Sequence, residues 1–285
     1  MSYQIITDSC CDFTKQQYAD LNLKYVPLTL LYKGTEQEGF TEPGELHAFY
    51  NGIRAGEMPT TSAVNPQAWA SLMEQSLKDG KDVLCLTFSS GLSTTHQSAV
   101  IAAEELREQY PQRKIFVVDT LCAALGQGLL VWYACKKRDE GLSLEELYDW
   151  VEQHKLNICH WVTIDDLGHL KRGGRVSGTT AFVGGMLNIK PIIIMDNDGK
   201  LATVGKCRGR KTAMEHLVRK LCEDGTDVET VFIAHGDCPE DAAALEAMLR
   251  EKHDIKEIVT GYVGPVIGAH TGPGVQVVIF MGTHR

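Results

Sequence analysis

Apolar and polar positions follow two rhythms along this chain, and the change between them comes near the middle. In the first half, strand-like and helix-like segments alternate. Gln4 to Thr7 and Tyr25 to Tyr32, rich in Ile, Val, Leu and Tyr, predict strands. Thr41-Glu42-Pro43 opens a helix that Gly56 closes, and Asn65-Pro66 opens another that ends near Asp79-Gly80. Asp82 to Phe88 is a short apolar strand, followed by a helix from about Ser93 to Tyr110. Lys114 to Thr120 is a further strand, with a helix running on to about Glu140. Ser143-Leu144-Glu145-Glu146 then has the spacing of a capping box. Such a β-α-β-α order predicts a parallel sheet with helices on both faces.

The second half differs. Asn157 to Thr163 reads as a strand, and the helical stretch after it is interrupted at Gly173-Gly174. Pro191 to Met195 and Leu201 to Lys206 flank Asn197-Asp198-Gly199, a hairpin signal that requires at least part of this sheet to be antiparallel. A helix to about Glu223, a strand Val228 to His235 and a helix Pro239 to Lys252 follow. Strands near Ile255 to Tyr262 and Val275 to Met281 end the chain. The expected fold is α/β in two domains. Residues 1–157 form a Rossmann-like parallel-sheet unit, and residues 158–285 an α+β unit with a mixed or antiparallel sheet.

Composition narrows the function. At 285 residues, 44% hydrophobic and 23% charged, the chain buries a full core without needing a metal or a disulfide framework. A net charge of −9 argues against a general affinity for nucleic acid or anionic membranes. The nine cysteines are odd in number, form no C-x-x-C, and sit partly in apolar runs such as Val83-Leu84-Cys85-Leu86. Buried free thiols in a reducing compartment are expected. Met1 to Asp8 lacks the features of a signal peptide, and no run approaches the roughly 18 apolar residues of a membrane span. The cytoplasm is the expected location.

Motif by motif, the chemistry thins out. Neither Gly205-Lys206-Cys207 nor Gly209-Arg210-Lys211-Thr212 completes a P-loop, and Val131 stands where a dinucleotide fingerprint after Gly126 and Gly128 needs glycine. The ten histidines show no zinc spacing, and Cys159 and His160 point to opposite faces of one strand, so no metal is expected. Ser89-Ser90-Gly91-Leu92-Ser93-Thr94-Thr95 is a hydroxyl-rich turn between a strand and a helix. Three readings stay open for it: plain helix capping, an anion site at a helix N-terminus, or a serine nucleophile. The last lacks the glycine of G-x-S-x-G at Thr95. Pro59 to Pro66 is a second hydroxyl cluster just before a helix. Gly264 to Gly274 is a third segment whose four glycines suggest a functional loop.

Taken in order, several short segments resemble one family. They are Thr7-Asp8-Ser9, Thr61-Ser62 before Asn65-Pro66, Ser89-Ser90-Gly91-Leu92-Ser93 and Val118-Asp119-Thr120. Leu170-Lys171-Arg172-Gly173-Gly174-Arg175, Lys190-Pro191, Gly205-Lys206-x-Arg208 and the Gly264 to Gly274 loop complete the set. The chain resembles the DegV family of bacterial fatty acid-binding proteins from end to end. It departs from the usual family pattern at Ala63-Val64 and at Thr94-Thr95-His96.

The resemblance implies a non-enzymatic binding protein whose long-chain fatty acid lies in a tunnel between domains and is presented to a separate fatty acid kinase. It carries the carboxylate-binding role to Thr61, Ser62 and Ser93, with Thr94 beside them, and to His270. No cofactor beyond the lipid is implied. Arg172 and Arg175 are candidate docking points for the kinase. Met186-Leu187 and Ile192-Ile193-Ile194 are candidates for the tunnel wall, and Asp8 and Asp119 for ordering loops. The competing readings are a serine-dependent lipid hydrolase or acyltransferase using Ser93 or Ser62, and a binder of another apolar anion.

Overall fold

The computed structural model describes residues 3–176, 188–283 and 285. Its elements run β1 (Tyr3–Asp8), α1 (Lys15–Asp20), β2 (Lys24–Val26), β3 (Thr29–Tyr32), β4 (Thr35–Gln37), α2 (Pro43–Arg54), β5 (Thr60–Ser62), α3 (Pro66–Lys78) and β6 (Asp82–Thr87). Then come α4 (Thr95–Gln109), β7 (Ile115–Asp119), α5 (Leu125–Asp139), α6 (Leu144–His154), β8 (Ile158–Thr163) and α7 (Gly168–Arg172). The chain continues as β9 (Ile189–Met195), β10 (Leu201–Arg208), α8 (Arg210–Asp224), β11 (Gly225–His235) and α9 (Pro239–Lys252). It finishes with β12 (Glu257–Tyr262), α10 (Pro265–Thr271) and β13 (Gln276–Gly282).

Among the described residues, β2-β1-β6-β7 form a parallel sheet. Val83 to Leu86 on β6 are buried throughout, because both faces of the strand are covered. On one face, α3 and α4 bring Trp69, Met73, Ala99 and Ala103 against Val83 and Cys85. On the other, α5 and α6 bring Leu129, Leu130, Leu147 and Val151 against Leu84 and Leu86. The helices are punctuated as their sequences predict. Asn65 Oδ1 accepts the Ala68 N–H at 2.8 Å at the head of α3. At α6, Ser143 Oγ accepts the Glu146 N–H while the Glu146 carboxylate accepts the Ser143 N–H, a complete capping box.

The second large sheet is mixed, in the order β10-β9-β8-β13-β11-β12, with β9 and β10 forming the hairpin around Asn197-Asp198-Gly199. One face packs α8 and α9 through Met214, Leu217, Leu221, Leu245 and Leu249. The opposite face, carrying Val162, Ile193, Phe232 and Val277, packs against α5 of the first unit in a shared core with Leu125 and Leu129. Helix α5 therefore lies between the two sheets. That accounts for its long apolar stretch and its weak amphipathic pattern.

Two expectations need correction. The single strand Tyr25 to Tyr32 is two strands, because Pro27 has no N–H to continue the ladder. Strand β3 turns away to form a small antiparallel sheet, β4-β3-β5. The Gly264 to Gly274 segment is not wholly loop, since Pro265–Thr271 is a short helix ending at Gly272 with φ +72°. Met186 and Leu187 lie outside the described residues.

Candidate functional site

In the parallel sheet, β1 leads outward to β2 while β6 lies on its other side. The order in which strands are added therefore reverses between β1 and β6, which are parallel neighbours. Ligands of open α/β sheets gather beyond the strand ends at such a point. Asp8, at the end of β1, ties the two loops there. Its Oδ1 accepts the Cys10 N–H at 2.9 Å, and its Oδ2 accepts the Phe88 N–H at 2.7 Å. Burial pushes this carboxyl up to about 6, against the pull of those amide donors. Asp119 works similarly at the end of β7, accepting the Ser90 and Leu121 N–H groups.

The loop after β6 opens on to a cavity of about 380 Å³. That lies within the roughly 300–1,000 Å³ of small-molecule sites. Its wall is largely apolar and comes from both sheets. Strand alternation supplies much of it: His160, Val162 and Ile164 along β8 and just beyond, Ile193 and Met195 on β9, and Val275 and Val277 at and before β13. Ile192, on the opposite face of β9, belongs to the core under α8 instead. Phe88, Ala123 and Ala124 complete the side contributed by the parallel sheet.

One part of the wall is polar. Thr61, Ser62, Ser93, Thr94 and His270 all line this same cavity, although they come from β5, the β6–α4 loop and α10. Thr61 Oγ1 and His270 Nε2 are hydrogen-bonded at 2.8 Å. Ser93 Oγ bonds Thr95 Oγ1 at 2.9 Å and accepts the Thr95 N–H. Thr94 is the N-cap of α4 but makes no side-chain capping bond. The positive end of the α4 dipole thus faces the cavity beside two hydroxyls.

The two arginines that the sequence pairs are separated by the structure. Arg172, the last residue of α7, is exposed and donates to His169 Nδ1 at 2.9 Å. Gly173 and Gly174, the latter at φ +69°, then turn the chain back, and Arg175 enters the cavity wall. Its Nε donates to the Leu92 carbonyl at 3.2 Å and its Nη1 to the Gly173 carbonyl. The position of Arg175 in the wall has no direct signal in the sequence beyond the Gly-Gly turn before it.

Electrostatics separate the two histidines from the arginine. Burial, and then the positive charge of Arg175, hold His270 down to about 4, so it is a neutral imidazole near pH 7. Among the described residues, the polar end therefore carries one positive charge, Arg175, and several hydrogen-bonding groups, a match for one anion. His160, in the apolar part, is pushed down to about 3 by burial and then by Arg285. Its Nδ1 lies 3.0 Å from the Ile158 carbonyl and its Nε2 accepts the Ala123 N–H at 3.4 Å, which fixes the Nδ1–H tautomer.

Among the described residues, neither Ser62 nor Ser93 is hydrogen-bonded to His270. His270 Nε2 is engaged by Thr61 and Ser93 Oγ by Thr95. Among the described residues no carboxylate pairs with His270 to orient it. Ser89, buried, is used structurally. It donates to the Gly199 carbonyl at 2.6 Å and so pins the β6–α4 loop to the β9–β10 hairpin. Gly199, at φ +68°, has no room for a side chain there, since an added Cβ would lie 2.2 Å from Ser89 Oγ.

All nine cysteines are free, and among the described residues no three side chains converge as metal ligands. No helix among them is long and apolar enough to cross a membrane.

Comparison with known proteins agrees over the whole chain. Residues 2–282 match the profile of a family described as uncharacterised protein, DegV family. A DegV domain-containing protein of Clostridium perfringens is 44% identical over 283 residues, covering 98% of this chain and 97% of its own. A DegV family protein from Thermus thermophilus, whose structure is described for fatty acid binding, is 30% identical with a TM-score of 0.88. That match covers 99% of this chain and 100% of the other. A DegV lipid binding protein from Thermotoga maritima is 28% identical with a TM-score of 0.87, covering 100% of both chains.

Proposed function

The chain belongs to the DegV family, and from that membership we propose that it binds one long-chain fatty acid in this cavity and presents it to a fatty acid kinase. The observation that carries the reading is the division of a single cavity into a long apolar wall and one polar, positively charged end. In this reading the carboxylate sits among Thr61, Ser62, Ser93, Thr94 and His270, with Arg175 as its counter-charge. The acyl chain runs along Val162, Ile193 and Val277, between units 1–157 and 158–285.

The energetics suit such a ligand. Burying about 14 methylenes at ~0.8 kcal/mol each gives a gross drive of ~11 kcal/mol. Ordering the chain and losing its free motion offset much of that. The carboxylate needs donors once it leaves water, and the hydroxyls and Arg175 supply them. The phosphoryl group comes from the partner's ATP. A carboxylate oxygen attacks the terminal phosphorus of ATP, the new C–O–P linkage forms, and ADP departs with the electrons of the broken P–O bond. In this reading exposed Arg172, three residues before Arg175 of the cavity wall, meets the kinase, and a kinase that uses ATP implies the cytoplasm for both.

Small molecules extracted from the purified protein and read by denaturing mass spectrometry test the binding reading directly. The expected result is a long-chain fatty acid near one per chain. A protein that is empty as purified and also ignores added fatty acid would refute it. The presenting role is tested separately, by formation of acyl phosphate when a fatty acid kinase and ATP are added to the loaded protein.

A further inference from the structure

A helix of only seven residues, α10, carries His270 to the polar end of the cavity, and α7 packs against it. The two interlock through two histidines, each lying over a glycine of the other segment. An added Cβ on Gly173, just after α7, would lie 2.3 Å from His270 Nδ1 and 3.3 Å from its Cγ and Cε1. On Gly272, just after α10, it would lie 2.5 Å from His169 Cδ2 and 2.7 Å from Nε2. Neither glycine has room for a side chain unless a ring moves.

The two glycines differ in one respect. Gly272 has φ +72°, so its backbone alone accounts for glycine there. Gly173 has φ −71° and ψ −10°, ordinary helical values in which alanine is favoured over glycine. The turn itself is made by Gly174 at φ +69°. The missing side chain at 173 therefore answers to the His270 ring, not to the backbone. That ring makes the bond that joins the two units at the polar end, with Nε2 2.8 Å from Thr61 Oγ1. The Gly173 carbonyl accepts from Arg175 Nη1, and Thr61, Arg175 and His270 line the same cavity.

We propose that Gly173 is a positioning residue for carboxylate binding: its bare Cα lets the His270 ring lie where Nε2 meets Thr61, while its carbonyl holds the Arg175 guanidinium beside them. The proposal rests on the fatty acid reading, since the affinity concerned is that for the carboxylate.

Gly173→Ala tests it, because the backbone already suits alanine and only the ring stands in the way. Fatty acid affinity should fall about tenfold, the effect of one lost hydrogen bond to a charged group, while the matched fatty alcohol changes less than about twofold. The ring itself gives a second readout. Moved out of its buried place beside Arg175, His270 should titrate above its value of about 4, as followed by imidazole chemical shifts. A third comes from Gly173→Ala/His270→Ala, in which the methyl group has room. The double variant should bind fatty acid as His270→Ala alone does, because the alanine acts only through the ring.

Equal losses for acid and alcohol, an unmoved His270 titration, or the same loss from Gly173→Ala with and without the ring would each overturn the proposal. If the melting curve shows Gly173→Ala to be unfolded, the double variant carries the test. It should then fold and match His270→Ala, and a double variant that stays unfolded or binds more weakly refutes the positioning role. Wild-type protein that takes up no fatty acid would instead count against the binding reading. The His270 titration, measured without lipid, still decides whether Gly173 sets the ring.

Discussion

Replacing Arg175 by Met tests the polar end of the cavity most sharply, because it removes the positive charge but keeps an apolar stem. In the folded protein the guanidinium is half-buried, is held by the Leu92 and Gly173 carbonyls, and faces the same cavity as His270. A hydrogen bond to a charged partner is worth ~1.5–3 kcal/mol, and partial exposure to water brings this nearer ~1–2 kcal/mol. The expected loss in fatty acid affinity is therefore about 5- to 30-fold. A competition assay with a fluorescent fatty acid reads that change. The matched fatty alcohol provides the control, since it fills the apolar wall but brings no anion. Its affinity should move little.

The same substitution has a second readout. The Arg175 charge is, after burial, the cause that holds His270 down to about 4, so its removal should raise the His270 pKa while burial still keeps it below the ordinary value. Imidazole chemical shifts against pH would follow it. If acid and alcohol weaken together, the arginine acts by packing the β6–α4 loop. If the acid binds as before, Arg175 is not the counter-charge. Either result refutes the electrostatic argument.

Further predictions concern stability and the wall. The folded pKa values of His160 and His270, about 3 and about 4, lie below their unfolded value. Their contribution is thus complete above about pH 6.5 and lost as pH falls toward those values, whereas Asp8, raised to about 6, acts in the opposite sense. Urea unfolding should show lower stability at about pH 4.5 than at neutrality, and His160→Gln should reduce that dependence; an unchanged slope would mean that the ring is not buried neutral. Gly126→Ala would place a Cβ 1.9 Å from His160 Nε2, and it should destabilise by about 1–3 kcal/mol in the same assay. Ala124, in the cavity wall, has φ 53° and ψ −149°, a region nearly restricted to glycine. Ala124→Gly should therefore raise the urea midpoint by about 1 kcal/mol of stability, and a fall would show that the strain is absent.

What the sequence discloses and what it hides divide along physical lines. Signals completed within a few residues are legible. The Ser143 to Glu146 box, the Asn65-Pro66 helix start and the Asn197-Asp198-Gly199 turn each form where expected, because their partners lie within one turn of chain. Strand β5 carries Thr61 and Ser62 to the cavity yet is three residues long and mostly exposed, so it has no apolar period to announce it. Its place is set by pairing with β3, more than twenty residues away. Arg172 and Arg175 look alike in sequence, and only the turn at Gly173-Gly174 sends one outward and the other into the wall. The C-terminal glycines mislead in a different way. Pro265 in the first turn and left-handed Gly272 at the end are ordinary punctuation for a helix. The density of glycine around them hides it. Gly268 lies inside that helix because an added Cβ would meet the Tyr50 hydroxyl at 2.6 Å, and that hydroxyl in turn donates to the Val263 carbonyl. The glycine there serves close packing of α10 on α2, and that packing sets the position of the helix that carries His270 to Thr61. A sequence can show that the segment is unusual. The partner that makes it so comes from more than two hundred residues earlier in the chain.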